Sequence, residues 1–248
     1  MNFVEIVFSP TGGTKKVAHM ISKHWDTDII HIDLSDADMD FSQCNLGEPD
    51  MVLIAMPSFG GRAPAVAIER LKQISGKNSK CVLVCVYGNR AYEDTLVEME
   101  DAAKESGFQV VAAVAAIAEH SIMPQYATRR PDTTDEKQLK DFALQIKSKE
   151  GIAETIPGKR PYKKAGNVGL VPKPNKYCVK CGVCATNCPV HAIDKETLAA
   201  ASQKCISCMR CVKHCPKCAR SVNNAMVSIA ALAIKKACSS RKENELFL

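Results

Sequence analysis

Eight cysteines stand out by their spacing. Cys178, Cys181, Cys184 and Cys188 are followed by Pro189, and Cys205, Cys208, Cys211 and Cys215 by Pro216. Each half reads C-x2-C-x2-C-x3-C-P. Thiolates are soft ligands, and such short spacings let one stretch of backbone wrap three irons of a cubane while the proline turns the chain away. A zinc ribbon shows two C-x2-C pairs, not two runs of four. A disulfide framework needs an oxidising compartment, and the first apolar run, residues 3–8, is short and lacks the basic leader of a secretory signal. The pattern points to one-electron chemistry on two 4Fe–4S clusters.

The double run resembles the two-cluster ferredoxins of bacteria, in which the fourth cysteine of each run ligates the other cluster. The resemblance implies Cys178, Cys181, Cys184 and Cys215 on one cluster, and Cys205, Cys208, Cys211 and Cys188 on the other. Cys218, three residues past Cys215, is a spare thiol or a substitute ligand. The x3 spacing and Pro216 favour Cys215.

A second constellation lies near the start. An apolar, β-branched run over residues 2–8 leads into Ser9-Pro10-Thr11-Gly12-Gly13-Thr14-Lys15, and a helix is expected over 14–25. Strand, Gly/Thr-rich turn and helix together make a phosphate site, because N–H groups and hydroxyls point at the anion and the helix dipole favours it. The spacing is neither a Walker A loop nor the dinucleotide Gly-x-Gly-x-x-Gly. Alone, such a turn also fits an ordinary capped helix.

The elements that must position these residues follow. Strands are expected over 29–34, 51–56, 81–87 and 110–117. Helices are expected over 64–74, from the fourth strand's loop to 106, and over 134–148. Alternation of five strands with helices predicts an α/β fold with an open, parallel, doubly wound sheet in the order 2-1-3-4-5. Ligands of such sheets sit beyond the carboxyl ends of the strands, where the strand order switches. The loops after strands one, three and four are rich in Gly, Ser and aromatics. The second is Pro57-Ser58-Phe59-Gly60-Gly61-Arg62, and the third is Tyr87-Gly88-Asn89-Arg90-Ala91-Tyr92. All three converge there.

The segment Ser9-x-Thr11-Gly12-x-Thr14 resembles the phosphate loop of flavodoxins, which bind flavin mononucleotide (FMN), with Gly13 where many of them carry Asn. The resemblance covers residues 1–150. It places Phe59 and Tyr92 in the two loops flanking the flavin, and Gly88 to Tyr92 is similar to a Gly-Asp-x-x-Tyr segment with Asn89 for Asp. It implies an FMN site of Ser9, Thr11, Gly12, Gly13, Thr14, Ser58, Phe59, Gly60, Gly61, Tyr87, Gly88, Asn89 and Tyr92. Joined to the cysteine runs, the chain resembles the flavodoxin–ferredoxin fusion proteins of anaerobic bacteria and archaea. The expected organisation is a flavodoxin-like domain over 1–150, a semi-extended Pro/Lys-rich linker over 151–176, a small α+β two-cluster ferredoxin domain over 177–220, and an Ala-rich helix with a tail over 221–248.

Charge is divided unevenly. Residues 1–154 carry 16 Lys/Arg against 23 Asp/Glu, and residues 155–248 carry 17 against 4. The basic half compensates the clusters, docks on the acidic half, or meets an acidic redox partner. No motif supports nucleic acid binding. The longest apolar run, 110–118, is well short of the ~20 residues that span a bilayer. A cytoplasmic chain is therefore expected, with Cys44, Cys81, Cys85 and Cys238 as buried or free thiols. His19, His24 and His31 read as surface or half-buried groups, Trp25 as packing, and His191 and His214 as exposed neighbours of the cluster ligands. The loop 119–131, with Glu119, His120, Ser121, Tyr126, Arg129 and Arg130, is either a solvated connector or a contact to the flavin edge, an acceptor or a partner.

Three functions compete. One is an electron carrier relaying between the clusters and FMN, with redox proteins as partners. Another is an FMN-dependent oxidoreductase in which the clusters feed reduction of a small acceptor such as a quinone. The third is a redox-sensing regulator whose basic half binds nucleic acid. The eight ligands predict about eight iron and eight acid-labile sulfide per chain. Cys188→Ser should damage the cluster held mainly by the second run, as read by iron analysis and visible spectra. An intact cluster in that variant, with Cys218 essential instead, would overturn the ligand assignment.

Overall fold

The computed structural model describes residues 2–26, 28–49, 51–166 and 169–248. Strand β1 (Phe3–Val7) is buried along its whole length, as suits a central parallel strand, and includes one buried acid, Glu5, which accepts from the Ser22 hydroxyl. It runs through a tight turn into α1 (Gly13–Ser22) and on to β2 (Ile29–Asp33), an edge strand with Ile30 half exposed. Then come β3 (Met51–Pro57), α2 (Ala65–Leu71), β4 (Lys80–Tyr87), α3 (Thr95–Glu105), β5 (Gln109–Ile117) and α4 (Thr133–Ser148). The strands β2-β1-β3-β4-β5 pair in parallel in that order. This is the expected doubly wound sheet of flavodoxin-like order, with its switch point between β1 and β3.

The sheet is apolar on both faces. One face carries α1 and α4, whose Val17, Ala18, Ile21, Leu139, Ala143 and Ile146 pack on Phe3, Leu53 and Val84. Trp25 completes that layer, stacking on Phe3 and donating its indole N–H to the Ala143 carbonyl at 3.0 Å. The other face carries α2 and α3, with Ala67, Leu71, Leu96 and Met99 over Ile6, Ile54 and Leu83. Cys81 and Cys85 are fully buried in β4, where burial raises both thiols and leaves them as packing groups.

After α4 the chain does not float free. Ala153 donates its N–H to the Val110 carbonyl at 2.9 Å. The Asp94 carboxylate accepts the N–H groups of Lys159 and Lys163 at 2.9 and 2.7 Å. Arg160 forks onto Asp101 and reaches Glu100 at 2.8 Å, Tyr162 bonds Asp101, and the Arg62 guanidinium lies 4.7 Å over the Tyr162 ring. The semi-extended linker of the sequence reading is thus a strap along α3, because its basic residues meet the acids on that helix. Gly158, at φ 141°, lies so close to Val97 that a Cβ there would overlap it.

A small cysteine-rich unit follows. It contains β6 (Lys173–Pro174), α5 (Val183–Thr186), α6 (Arg210–Lys213) and β7 (Arg220–Ser221), with β6 and β7 antiparallel. Helix α7 (Asn224–Ile234) is capped by the Asn223 side chain. The chain then returns to the first sheet: β8 (Glu245–Phe247) pairs antiparallel with β5 as a sixth strand. The five-stranded sheet expected from sequence is extended by this edge.

Buried polar groups fix that return. The Asn244 side chain accepts the Ile117 N–H at 3.0 Å and donates to Asp135 and Gln138 at 3.0 and 2.7 Å. Asp135 is fully buried against Arg130, whose guanidinium also donates to the Lys242 carbonyl at 2.7 Å. Burial alone would raise the Asp135 carboxyl, but Arg130, the Asp132 N–H and Asn244 together hold it below its usual value. Asn244→Ala leaves the Ile117 N–H without its partner and removes one of several donors to Asp135 Oδ1, a cost of about 1–3 kcal/mol. The expected result is faster amide exchange in β5 and β8, with β1 and β3 keeping their protection.

Candidate redox site

Each cysteine run folds as a short helix entered through a left-handed residue. Gly182 (φ 76°) caps α5, and Met209 (φ 61°) caps α6. The two halves repeat one geometry. The Ala192 N–H reaches Cys188 Sγ and the Ala219 N–H reaches Cys215 Sγ, both at 3.2 Å. Amide–sulfur bonds of this kind tune the potential of a thiolate-held centre. Cys218 stands at the position equivalent to His191. Both have left-handed backbone, and both donate their N–H to the fourth cysteine's carbonyl.

Cys178, Cys181, Cys184 and Cys215 line one cavity, walled by Val179, Leu198 and Ala219. Cys218 is exposed and does not line it. The other four thiols face one another. Burial pushes the Cys208 thiol up to about 12, with Cys211, Cys188 and Cys205 pushing the same way against a hydrogen bond from the Arg210 backbone. Among the described residues no three His, Cys, Asp or Glu side chains close in tightly enough for a single metal ion. Four thiols around a cavity suit a cubane better than a tetrahedral zinc.

The first-strand loop offers the complementary chemistry. Gly12 adopts φ 92°, a left-handed turn that only glycine makes without strain, and turns the chain into α1. Lys15 donates its N–H to Ser9 Oγ, and Lys16 to the Gly12 carbonyl. Among the described residues, the N–H groups of Gly12, Gly13 and Thr14 find no acceptor. Orphan donors at a helix N-terminus fit an anion. The third-strand loop closes as a two-residue turn in which Phe59 and Arg62 pair across Gly60 and Gly61, both at positive φ.

These loops open on a cavity of about 530 Å³. Its walls include Thr11, Gly13 and Thr14, then Ser58, Phe59 and Gly60, then Tyr87 and Gly88, and then Glu119 to Met123. The cysteine-rich unit forms the far wall with Gln203 to Cys208, and α7 contributes Ala230 and Ile234. Arg62 and Glu98 line the cavity as a forked pair, at 2.6 and 2.7 Å.

Residues 171–239 match the 4Fe-4S dicluster domain family. No curated protein matches the chain. Among solved structures, an archaeal flavodoxin is similar at 15% identity, covering 59% of this chain and 96% of its own, with a TM-score of 0.43. Oxidised flavodoxin 1 from Bacillus cereus is similar at 16% identity over 61% of this chain and all of its own, also at 0.43. An NADPH-quinone reductase from P. pentosaceus is similar at 13% identity over 61% of this chain and all of its own, at 0.40. The chain thus joins a parallel sheet of flavodoxin-like strand order to a region that matches the 4Fe-4S dicluster domain.

The cavity gathers most of the residues singled out from sequence, but not all. Ser9, Gly12, Gly61, Asn89 and Tyr92 do not line it. Ser9 and Gly12 shape the turn. Gly61 makes room for Glu93, which would overlap a Cβ there. Asn89 is buried and donates to the Cys238 and Ser240 carbonyls at 3.0 and 2.9 Å, so it holds the C-terminal segment. The Tyr92 ring meets Tyr87 edge-on at 5.2 Å and faces Glu245. Asn89 and Tyr92 thus meet the C-terminal segment and β8 rather than the cavity wall.

Two residues take roles that their local sequence does not specify. Arg220 is buried, donates to the Leu198 and Pro172 carbonyls at 2.9 and 3.1 Å, and approaches Cys184 Sγ at 3.6 Å. A basic residue five past a ligand cysteine carried no signal of burial. His120 had been weighed only as part of a loop. Its Nδ1 accepts the Ile122 and Met123 N–H groups at 3.2 and 3.3 Å, so the ring proton of the neutral form sits on Nε2. Burial first, then the charge of Arg90, keeps it below the usual histidine pKa. Gly88 seats it, since a Cβ there would lie 2.7 Å from His120 Cβ.

At Gly12 a Cβ meets nothing within 4 Å, so backbone conformation rather than close approach makes the glycine necessary. Gly12→Val should therefore strain the turn and misdirect its orphan N–H groups. Flavin content after anaerobic reconstitution should be lost, with iron content unchanged. Full flavin content would remove this loop from the phosphate site.

Proposed function

We propose that the chain relays electrons between two 4Fe–4S clusters and FMN. Cys178, Cys181, Cys184 and Cys215 hold one cluster, and Cys188, Cys205, Cys208 and Cys211 the other. The N–H groups of Gly12, Gly13 and Thr14 hold the flavin phosphate, and Phe59, Tyr87 and Gly88 wall its ring. When bound, the clusters exchange single electrons, and the flavin exchanges one or two. One observation carries the reading: a single cavity is lined both by the phosphate loop and by Cys205 and Cys208. Thiols of the second run thus stand at the wall of the flavin site, with no intervening element.

The residues of the chain bind, orient and shield. Arg62 and Glu98 neutralise each other at the cavity wall. Ile206, Ala230 and Ile234 bring apolar surface to it and limit water. Arg220 and the two amide–sulfur bonds supply fixed positive dipoles to the thiolates. Reduction of a small acceptor is the second reading, favoured by His120, which presents a half-buried imidazole to the same cavity.

The test is kinetic. After rapid photoreduction, transfer between flavin and clusters should proceed at a rate independent of protein concentration over about a tenfold range. A rate proportional to concentration would replace the relay with two carriers that merely share a chain.

A further inference from the structure

The two thiol sets differ in exposure. Cys188, Cys208 and Cys211 are buried, and Cys205 and Cys208 face the flavin-side cavity. In the other set Cys181 is exposed, and Cys178, Cys184 and Cys215 are half-buried. The surface beside Cys181 is apolar at its centre, where Tyr177 is 65% and Val179 59% exposed. Exposed Lys173, Lys176 and Lys180 lie within four residues of Tyr177 in the chain, and exposed Lys217 lines the same cavity as Val179. The Lys176 ammonium lies 5.2 Å over the Tyr177 ring.

Part of the basic half of the chain is paired with the acidic half. Arg160 pairs with Asp101, Lys163 with Glu93, and Arg241 with Asp132. On the dicluster domain itself, Arg210 lies 4.0 Å from Asp33 and His191 3.3 Å from Asp38. None of Lys173, Lys176, Lys180 and Lys217 forms an ion pair among the described residues. No acid occurs in sequence between Glu154 and Asp194, or between Glu196 and Glu243. The four lysines, with no acid near them in sequence, leave positive charge at the end of the domain where Cys181 reaches the surface.

We propose that the Tyr177/Val179 patch docks a redox protein whose own one-electron centre is rimmed by acidic residues. Electrons cross between that partner and the cluster of Cys178, Cys181, Cys184 and Cys215. The inference rests on the relay reading and gives it an order: partner, exposed cluster, buried cluster, flavin. Each encounter moves one electron, the donor losing what the acceptor gains, and no bond or proton changes place. The lysines steer the encounter, and the apolar centre excludes water at the closest approach.

The probe is a reduced flavodoxin of net negative charge, mixed with the full chain carrying its clusters and flavin while cluster bleaching is followed. In the double variant Lys176→Glu/Lys180→Glu, the second-order rate at low salt should fall by about tenfold or more, and its salt dependence should flatten. Tyr177→Ala should slow the rate while keeping the salt dependence. Reduction by a small neutral photogenerated radical should match the parent in both variants, which checks that the clusters are intact. Equal rates for parent and double variant with the acidic flavodoxin would overturn the docking surface. Charge-sensitive bleaching that never reaches the flavin would leave the surface standing and sink the relay instead.

Discussion

The arrangement of the molecule depends on the dicluster domain being tied to the flavodoxin-like sheet at both ends. At its entrance the strap over 159–163 is held by Asp94, Asp101 and Glu93 on and before α3. At its exit β8 hydrogen-bonds to β5, with Asn244 and the buried Arg130–Asp135 pair behind it. A domain fixed at one end samples a wide volume, whereas one fixed at both ends is confined near a single face. Each tie uses groups that would be costly to leave unpaired: a buried carboxylate, a buried backbone N–H, and an edge strand that would otherwise be open. Tyr126, donating to the Ala231 carbonyl at 2.7 Å, adds a tie at α7.

Electrostatics does two separate jobs. Close to the strap and the C-terminal segment, opposite charges meet at hydrogen-bond distance and fix register. Between the acidic loop after β2 and the dicluster domain the contacts are sparser and longer, and Arg70 bridges by donating to the Leu34 and Pro189 carbonyls at 2.6 and 2.7 Å. Most of that pairing is exposed and is worth little singly. The uneven charge therefore sets where the halves meet more than how tightly they hold.

The cavity between the halves has the composition expected of a cofactor site: apolar walls with a few convergent polar groups. Besides the Arg62–Glu98 pair and His120, its polar groups include two sets. Orphan N–H donors stand at the start of α1, and the thiols stand across from the loops after β3, β4 and β5. Donors to the thiolates come from the backbone and from Arg220, so the environment of sulfur is built mainly from main-chain geometry rather than from titrating side chains.

The sequence alone determined the order of the elements and carried the two residue patterns on which the proposed chemistry rests. Cysteine spacing is a local property, because three ligands of a cubane come from a few consecutive residues, so the runs were legible without any fold. Strand periodicity and Gly-rich turns were equally local, and they fixed the order of elements and the placement of Thr11, Gly13 and Thr14 at the switch point. What only the tertiary structure decided lay in contacts between residues far apart in the chain. The three-residue strand β8 is too short to carry a periodic signal, yet it supplies Glu245 beside Tyr92, and the segment before it supplies the carbonyls that Asn89 bonds. The Pro/Lys-rich stretch has the composition of a linker, and becomes a strap only because α3 presents acids at matching positions. Arg220 and His120 acquire meaning from burial, which depends on what packs over them, and no local pattern of residues encodes that.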